Sequence, residues 1–93
     1  MIVQDGKRFI QADNIVCCDL EGGKALLDTN NSQYYKLNET AALVWEQLAD
    51  ERTVAELADE LCKRFKVQRA LAVTDLNNML GAFSDAKLVS ILT

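Results

Sequence analysis

The spacing of apolar residues changes at Asn38, and this change constrains the fold more than any other feature of the sequence. Before Asn38, short stretches rich in strand-forming residues alternate with polar turns. After it, apolar residues recur three and four positions apart, which is the spacing of one face of a helix. A chain in which strands are followed by helices is typical of the α+β class.

Three segments before Asn38 have the composition of short strands. They are separated by a turn at Glu21–Gly23 and by the polar cluster Thr29–Ser32, where glycine and asparagine accept the backbone angles of tight turns. Short strands joined by tight turns pair as a three-stranded antiparallel meander. The predicted strands are Ile15–Leu20, Lys24–Asp28 and Gln33–Leu37.

Three helices are predicted after the strands. Asn38 is a suitable N-cap for the first helix, and Thr53 and Glu56 have the spacing of a capping box that begins the second. The third is expected from about Gln68 to Asp85, and the apolar segment after it is expected to be extended. Beside a small sheet, these helices predict a winged helix-turn-helix-like shape. The apolar face of the first helix is Ala41, Val44, Trp45 and Leu48.

Length and composition favour one binding domain and disfavour an enzyme. Ninety-three residues suffice for one hydrophobic core but not for a core with a large catalytic cleft. The sequence has no histidine, no cysteine pair at zinc-site spacing and no glycine-rich phosphate loop, so we expect no catalytic residue, metal or other cofactor. The single domain, 1–93, is expected to comprise a lead-in at 1–14, the sheet at 15–37, the helices at 38–86 and an extended segment at 87–93.

Charge and cysteine content indicate the compartment and the kind of partner. A net charge of −4 disfavours nucleic acid and anionic membranes, because both attract basic surfaces. The first residues do not form a secretory signal, and no apolar run is long enough to span a bilayer. The odd number of cysteines, Cys17, Cys18 and Cys62, is typical of a reducing compartment, so a cytoplasmic protein is expected.

The third predicted helix has two stripes of interest. At about 100° per residue, one stripe is the core face, and the other flanks it with small residues, a methionine and a carboxylate. We interpret the flanking stripe as the wall of a shallow groove with Leu71 and Asn78 at its rim; the alternative is an edge of the core or a seam between helices. The core face is Val73, Leu76, Leu80 and Phe83, and the flanking stripe is Ala72, Asp75, Met79, Ala82 and Ala86.

The third predicted strand is a second candidate for a binding surface. As the last strand of a meander it has one edge of unpaired backbone groups, which can accept a strand from another chain. Alternation places Gln33, Tyr35 and Leu37 on the inner face. Tyr34 and Lys36 then lie on the outer face, and simple packing of the tyrosines against neighbouring strands is the alternative. Together, the edge and the groove wall predict a clamp for an extended peptide.

Several short motifs occur in a fixed order between Ile15 and about Leu92, and together they are more specific than any one alone. They resemble the peptide-recognition domains typified by the D protein of pyrroloquinoline-quinone (PQQ) biosynthesis, which are called RiPP recognition elements. The motifs are Leu37-Asn38-x-Thr40-Ala41, Trp45 within the first helix, Thr53-Val54-x-Glu56-Leu57, Asp75-Leu76-x-x-x-Leu80 and Ala86-Lys87-Leu88-Val89.

The resemblance implies three strands followed by three helices and a non-catalytic role. It also implies that the partner is the leader region of a ribosomally synthesised precursor peptide. In the family, this leader binds as an extra strand on the third strand, in the cleft against the third helix. The implied contacts are Gln33, Tyr34, Tyr35, Lys36, Ala72, Asp75, Met79 and Ala82, to which the rim residues Leu71 and Asn78 are added.

Two details indicate the subtype within this family. Tyr34-Tyr35 and the lead-in Phe9–Asp13 resemble the stand-alone leader-binding proteins of lasso-peptide pathways. The PQQ branch usually has a Pro-Glu pair shortly before its Leu-Asn, and this chain has no proline. The lasso subtype implies delivery of the leader to a separate leader peptidase, with a cyclase as a further partner; a radical-SAM maturase is the partner implied in other branches.

Two other functions are compatible with parts of the sequence. A winged-helix DNA-binding regulator would use the third helix for recognition. From Gln68 to Ala86, however, this helix carries Arg69 against Asp75 and Asp85, and a net negative charge repels phosphate. A dimerisation module would instead pair the open strand edge with the same edge of a second copy.

Overall fold

Six strands and three helices form the part of the chain that the computed structural model describes, residues 7–92. The predicted α+β class, with a three-stranded meander ahead of three helices, is confirmed. Residues 1–6 of the predicted lead-in and Thr93 lie outside the described residues. The strands are β1 (Arg8–Gln11), β2 (Ile15–Leu20), β3 (Gly23–Asp28), β4 (Gln33–Asn38), β5 (Arg52–Thr53) and β6 (Val89–Leu92); the helices are α1 (Glu39–Gln47), α2 (Val54–Arg64) and α3 (Arg69–Asp85).

β2, β3 and β4 form the antiparallel meander in that order, as predicted. The β2–β3 hairpin turns through Glu21 and Gly22, and Gly22 has a φ of 79°, which glycine adopts without strain. The next residue, Gly23, cannot carry a side chain, because a Cβ atom there would overlap the carbonyl group of Leu37 on β4. The order leaves β4 at one edge of the sheet and β2 at the other.

A second antiparallel sheet, in the order β5-β1-β6, is absent from the sequence-based prediction. The predicted lead-in and the predicted extended segment pair with each other in this sheet, where the fully buried Phe9 lies opposite Ile91. Gln11 connects β1 to the end of α1 through two hydrogen bonds. Its backbone N–H donates to the Leu48 carbonyl (2.8 Å), and its side-chain amide donates to the Trp45 carbonyl (2.8 Å).

The predicted starts of α1 and α2 are confirmed. The Asn38 side chain accepts a hydrogen bond from the Ala41 N–H (2.9 Å) and so caps α1. At α2, the Thr53 hydroxyl accepts from the Glu56 N–H (3.2 Å), and the Glu56 carboxylate accepts from the Thr53 N–H (2.9 Å). The cap at Asn38 fixes the direction in which α1 leaves β4, and this direction sets one side of the candidate site.

One cluster of buried apolar side chains connects the helices, the inner face of the meander and the second sheet. α1 packs on β3 and β4, whereas α3 packs mainly on α2 and β6. The largest fully buried side chains are Phe9, Leu26, Val44, Leu48, Leu57, Leu76 and Leu80. The core therefore holds α1 against the meander and holds α3 further away, beside the second sheet.

The buried face of α3 differs from the predicted face by the exchange of two neighbours. Ala72 is buried, with 2 % of its surface exposed, and Val73 is only half-buried at the border of the core. The prediction that Ala72 lies beside the core face is therefore wrong, whereas Val73, predicted for that face, packs against the core only at its border. Because α3 packs on both α2 and β6, its buried face extends around to Ala72. Leu76, Leu80 and Phe83 are buried as predicted.

Candidate functional site

β4 presents an open edge at one side of the meander. One side of this strand pairs with β3 along its whole length, and the other side pairs with no strand within residues 7–92. Tyr34 points outward with 73 % of its surface exposed, whereas Tyr35 is half-buried against the core and Leu37 is buried. The predicted edge position is confirmed, and so is the inward position of Tyr35 and Leu37; Gln33, predicted for the same inner face, is exposed at the start of the strand.

A cleft of about 460 Å³ lies between the β4–α1 junction and the middle of α3. Asn38 and Thr40 line one side of it, and Asp75, Asn78 and Met79 line the other. Met79 is half-buried and supplies apolar surface, whereas Asp75 and Asn78 are exposed. Because Asn38 is the last residue of β4, the cleft adjoins the end of the open edge.

The packing of the helices explains why this cleft exists. The buried side chains of α1 hold that helix against β3 and β4. The main contacts of α3 are with α2 and β6, so α3 faces the end of β4 across a gap. The cap at Asn38 turns the chain from β4 directly into α1, which brings Thr40 to the rim of the gap.

The cleft brings together three of the residues predicted for the site, Asp75, Asn78 and Met79. Ala82 lies outside this cleft. It shares a second cleft of about 370 Å³ with Asn78, between α3 and the strands β1 and β6. Leu71 projects from the first turn of α3 with 58 % of its surface exposed and lines neither cleft. The predicted α3 residues are therefore spread along the helix instead of lining one pocket.

One predicted residue is missing from the two clefts, and two residues that were not predicted line the first cleft. Ala72 is in the core and lines neither cleft. Asn38 and Thr40 were not predicted as site residues, although both belong to the motif Leu37-Asn38-x-Thr40. The usable signal was the N-cap itself: a helix capped directly after an edge strand places its first turn next to that edge.

Charges of both signs border the β4 edge and the cleft. Lys36 on β4 and Asp75 on α3 are exposed, and neither forms an ion pair within residues 7–92. By contrast, Arg69, the sole basic residue of α3, is bound to Asp59 of α2. The site therefore offers one cationic and one anionic contact to a ligand.

The described residues also bear on metal binding, membrane crossing and cysteine reactivity. No group of three histidine, cysteine, aspartate or glutamate side chains within residues 7–92 is arranged to hold a metal ion. None of the helices in this part of the chain is long and apolar enough to cross a membrane. The cysteines are free, and Cys17 and Cys18 are exposed on β2. Partial burial raises the pKa of the Cys17 thiol, which disfavours its reactive thiolate form.

A meander whose β4 edge is open, three helices behind it and a cleft between that edge and the last helix define a small winged-helix-like α+β module. The family model described as coenzyme PQQ synthesis protein D (PqqD) matches residues 23–89, which is more than half of the chain. The chain belongs to the PqqD family, and the resemblance predicted from its motifs is confirmed. None of the curated proteins matches the chain significantly.

The fold is also that of known structures. One is TbiB1 in complex with the TbiA(beta) leader peptide: it is 22 % identical, has a TM-score of 0.80, and is aligned over 87 % of this chain and 94 % of that one. Another is lasso peptide synthetase B1 complexed with the leader peptide: it is 27 % identical, has a TM-score of 0.78, and is aligned over 88 % and 96 %. The second agrees with the predicted likeness to proteins of lasso-peptide pathways.

Proposed function

We propose that the chain is a non-catalytic adaptor that binds the leader region of a ribosomally synthesised precursor peptide. The open edge of β4 beside the cleft carries this proposal, because such an edge supplies backbone donors and acceptors for one added strand. Membership of the PqqD family supports the same role. So does the leader peptide in each of the two similar structures.

In this proposal the leader adds to the edge of β4 from Gln33 to Lys36. Successive leader side chains then point alternately to the outer face, beside Tyr34, and to the inner side, toward the cleft. Met79 contacts an apolar leader side chain, and Asp75 pairs with a basic one. Ala72 acts from within the core, where its small side chain allows close packing of α3. The remaining proposed contacts are Tyr35, Leu71, Asn78 and Ala82.

We expect a dissociation constant in the micromolar range or below. About −8 kcal/mol corresponds to roughly 1 µM. Strand hydrogen bonds contribute only about 0.5–1.5 kcal/mol each after the loss of hydration. Burial of leader side chains at about 1.5–3 kcal/mol each is therefore needed as well. Affinity should depend most on the apolar residues of the leader.

Calorimetric titration with the leader encoded by a neighbouring reading frame tests the proposal. Asn78→Arg places a bulky cation in both clefts and should weaken binding about tenfold or more, which is about 1.4 kcal/mol. Ala70→Arg is the matched control, because Ala70 is also exposed on α3 but lines neither cleft. Equal weakening by both variants, or no binding of the wild type in the micromolar range, would contradict leader binding at this site.

N-methylation of successive leader residues tests strand addition directly. Each methyl group removes one backbone donor, and only every second N–H of an added strand faces β4. The affinity should therefore fall at alternate positions of the leader. A uniform loss, or a loss confined to one position, would mean that the peptide does not bind as a strand.

We propose further that the adaptor delivers the bound leader to a leader peptidase of the same pathway, in the cytoplasm. A cyclase is a further partner in the lasso branch, and a radical-SAM maturase is the corresponding partner in other branches. Delivery works by raising the local concentration of the substrate at the enzyme. The peptidase should cleave the precursor faster with the adaptor, and Asn78→Arg should lose this acceleration. If the wild type binds the leader but does not accelerate cleavage, the delivery proposal is contradicted and leader binding is not.

The residues that the structure describes do not favour the DNA-binding alternative. Arg69 of α3 is occupied by Asp59, and the rest of that helix carries only acidic charge. Self-pairing through β4 would exclude leader binding, since a second copy would occupy the same edge. It is the weaker candidate, because the family membership and the two similar structures support leader binding. An added leader peptide would dissociate such a dimer, and sedimentation with and without leader would reveal the change.

A further inference from the structure

β2 forms the second open edge of the meander, and it is exposed on both faces. It pairs with β3 along its whole length, and its other side pairs with no strand within residues 7–92. Val16 and Leu20 keep 55 % and 41 % of their surfaces exposed, and Cys17 and Cys18 are exposed between them. An apolar strand exposed at a sheet edge is a template for pairing with another strand.

Most of the features that usually protect such an edge are missing from β2, and its one inward-pointing charge is paired. The strand contains neither proline nor lysine, and its six residues pair with β3 in unbroken register, without a bulge. Its one charged residue, Asp19, is bound to Lys24 of β3. The charge on β2 is therefore confined to its inner face, where Lys24 pairs with it.

The exposed apolar side chains of β2 share one face. The register places Val16, Cys18 and Leu20 on the outer face, because the alternate residue Cys17 lies opposite the buried Leu26 on the inner face. Leu20, at the end of the strand, also borders α1. The outer face carries no charged residue on β2. Identical apolar strips on two copies of the chain match each other when the strands pair.

Symmetry limits how β2 pairs with itself. In an antiparallel pair related by a two-fold axis, directly opposite residues point to the same face, so their numbers sum to an even value. An axis at Cys18 places Val16 opposite Leu20 of the second copy, and this apolar pair occurs twice. An axis at Cys17 instead places Ile15 opposite Asp19. Apolar cross-strand pairs stabilise a ladder more, which favours the axis at Cys18.

We propose that two copies of the chain pair through β2 into one six-stranded sheet with Cys18 at the two-fold axis. The strand order is then β4-β3-β2-β2-β3-β4, with the two β4 edges at the far ends. Both edges stay open, so one dimer holds two leader peptides; this last step rests on the proposed function, whereas the pairing of β2 does not. Because each copy has a net charge of −4, added salt strengthens the dimer by screening repulsion.

Sedimentation velocity of the full chain at rising concentration tests the dimer. The wild type should shift from monomer to dimer through the micromolar range. Val16→Lys should raise the dimer dissociation constant about tenfold or more, because its ammonium group would face Leu20 of the second copy. Val67→Lys is the matched control, since Val67 is 44 % exposed outside the sheets, and it should dimerise like the wild type. A wild type that stays monomeric, or equal effects of both variants, overturns the proposal.

A disulfide cross-link tests the register without relying on Val16→Lys. In a Cys62→Ser background, copper-phenanthroline and oxygen oxidise two thiols that lie directly opposite each other. Opposite residues on antiparallel strands have Cα separations within the range of a disulfide. Cys17→Ser should keep the cross-linked dimer and Cys18→Ser should lose it. Cross-linking through Cys17 alone, or none at all, overturns the proposed pairing.

Leader titration of Val16→Lys separates this proposal from the proposed function. The variant should bind the leader with wild-type affinity while remaining monomeric, because β2 and β4 are opposite edges of the sheet. If neither the wild type nor the variant binds the leader, the proposed adaptor function is contradicted and the proposed dimer is unaffected. A leader affinity that falls about tenfold together with the dimer would overturn the proposed independence of the two edges.

Discussion

Lys24 is a charged residue in a position where the sheet otherwise buries its side chains. It lies on the inner face of β3, in the same alternating set as the buried Leu26 and Asp28, and only 11 % of its side chain is exposed. Its ammonium group donates a hydrogen bond to Asp19 and lies 3.7 Å from a carboxylate oxygen of Glu46. The hydrogen bond to Asp19 raises the pKa of Lys24 above its ordinary value of 10.5. Pairing of this kind makes a buried charge tolerable.

The raised pKa of Lys24 predicts how stability depends on alkaline pH. The folded state binds this proton more tightly than the unfolded state, so the stabilisation is complete below pH 10.5 and is lost as the pH rises through the folded-state pKa. Lys24→Met has no such dependence. Above pH 10.5, the free energy of unfolding of the wild type should therefore fall relative to that of the variant, as measured by urea unfolding. A difference that stays constant with pH would contradict the assignment.

Asp28 holds the turn that leads into β4, and its removal should be costly. One carboxylate oxygen accepts from the Asn14 side-chain amide (2.7 Å) and from the Asn30 N–H (2.9 Å), and the residue is buried. Asp28→Ala leaves both donors without an acceptor and should lower the free energy of unfolding by roughly 1–3 kcal/mol. Asp50→Ala, at an exposed carboxylate, should change it by less than about 0.5 kcal/mol. Similar losses in the two variants would show that Asp28 does not hold the turn.

At the scale of the elements, the N-cap of α2 is also the last residue of β5. Thr53 ends β5 and caps α2, so Thr53→Ala removes the acceptor for the Glu56 N–H. The expected loss is about 1 kcal/mol of unfolding free energy. Thr74→Ala is the control, because that hydroxyl only donates back to the Ala70 carbonyl within α3. If chemical denaturation gives the same midpoint for wild type and Thr53→Ala, the capping box contributes nothing.

The meander and the helix starts could be predicted because their signals are local. Ile15–Leu20 is bounded by turn residues, and the capping box of Thr53 and Glu56 lies within four residues of sequence. The second sheet could not be predicted, because strands of two to four residues carry too short a pattern. Its pairs also join distant positions, such as Phe9 and Ile91. Only the complete fold brings them together.

The site was predictable to the extent that it depends on helical spacing. Asp75, Asn78 and Met79 were placed on one side of α3 by spacing alone, and the structure puts them in one cleft. The burial of Ala72 depends on how far α3 rotates between α2 and β6, which spacing does not determine. The contribution of Thr40 depends in the same way on the angle between β4 and α1.

In the complete fold, β1 ties the beginning of the described chain to its end and its middle. Its fully buried Phe9 belongs to the same core cluster as the helices. Phe9→Ala should therefore lower the free energy of unfolding by about 3–5 kcal/mol, in a single transition. Ile10→Ala, at a half-buried position of the same strand, should cost clearly less. Two separate transitions in circular dichroism would show instead that the second sheet unfolds independently.

The position of the one tryptophan has a practical consequence for all of these measurements. Trp45 is buried in the core, accepts a hydrogen bond from Gln11 and lines neither cleft. Its fluorescence emission should stay at short wavelength while a peptide occupies the β4 edge and should move to longer wavelength only when water reaches the interior. Tryptophan fluorescence therefore reports unfolding of the protein, and peptide binding at the β4 edge has to be measured by another method.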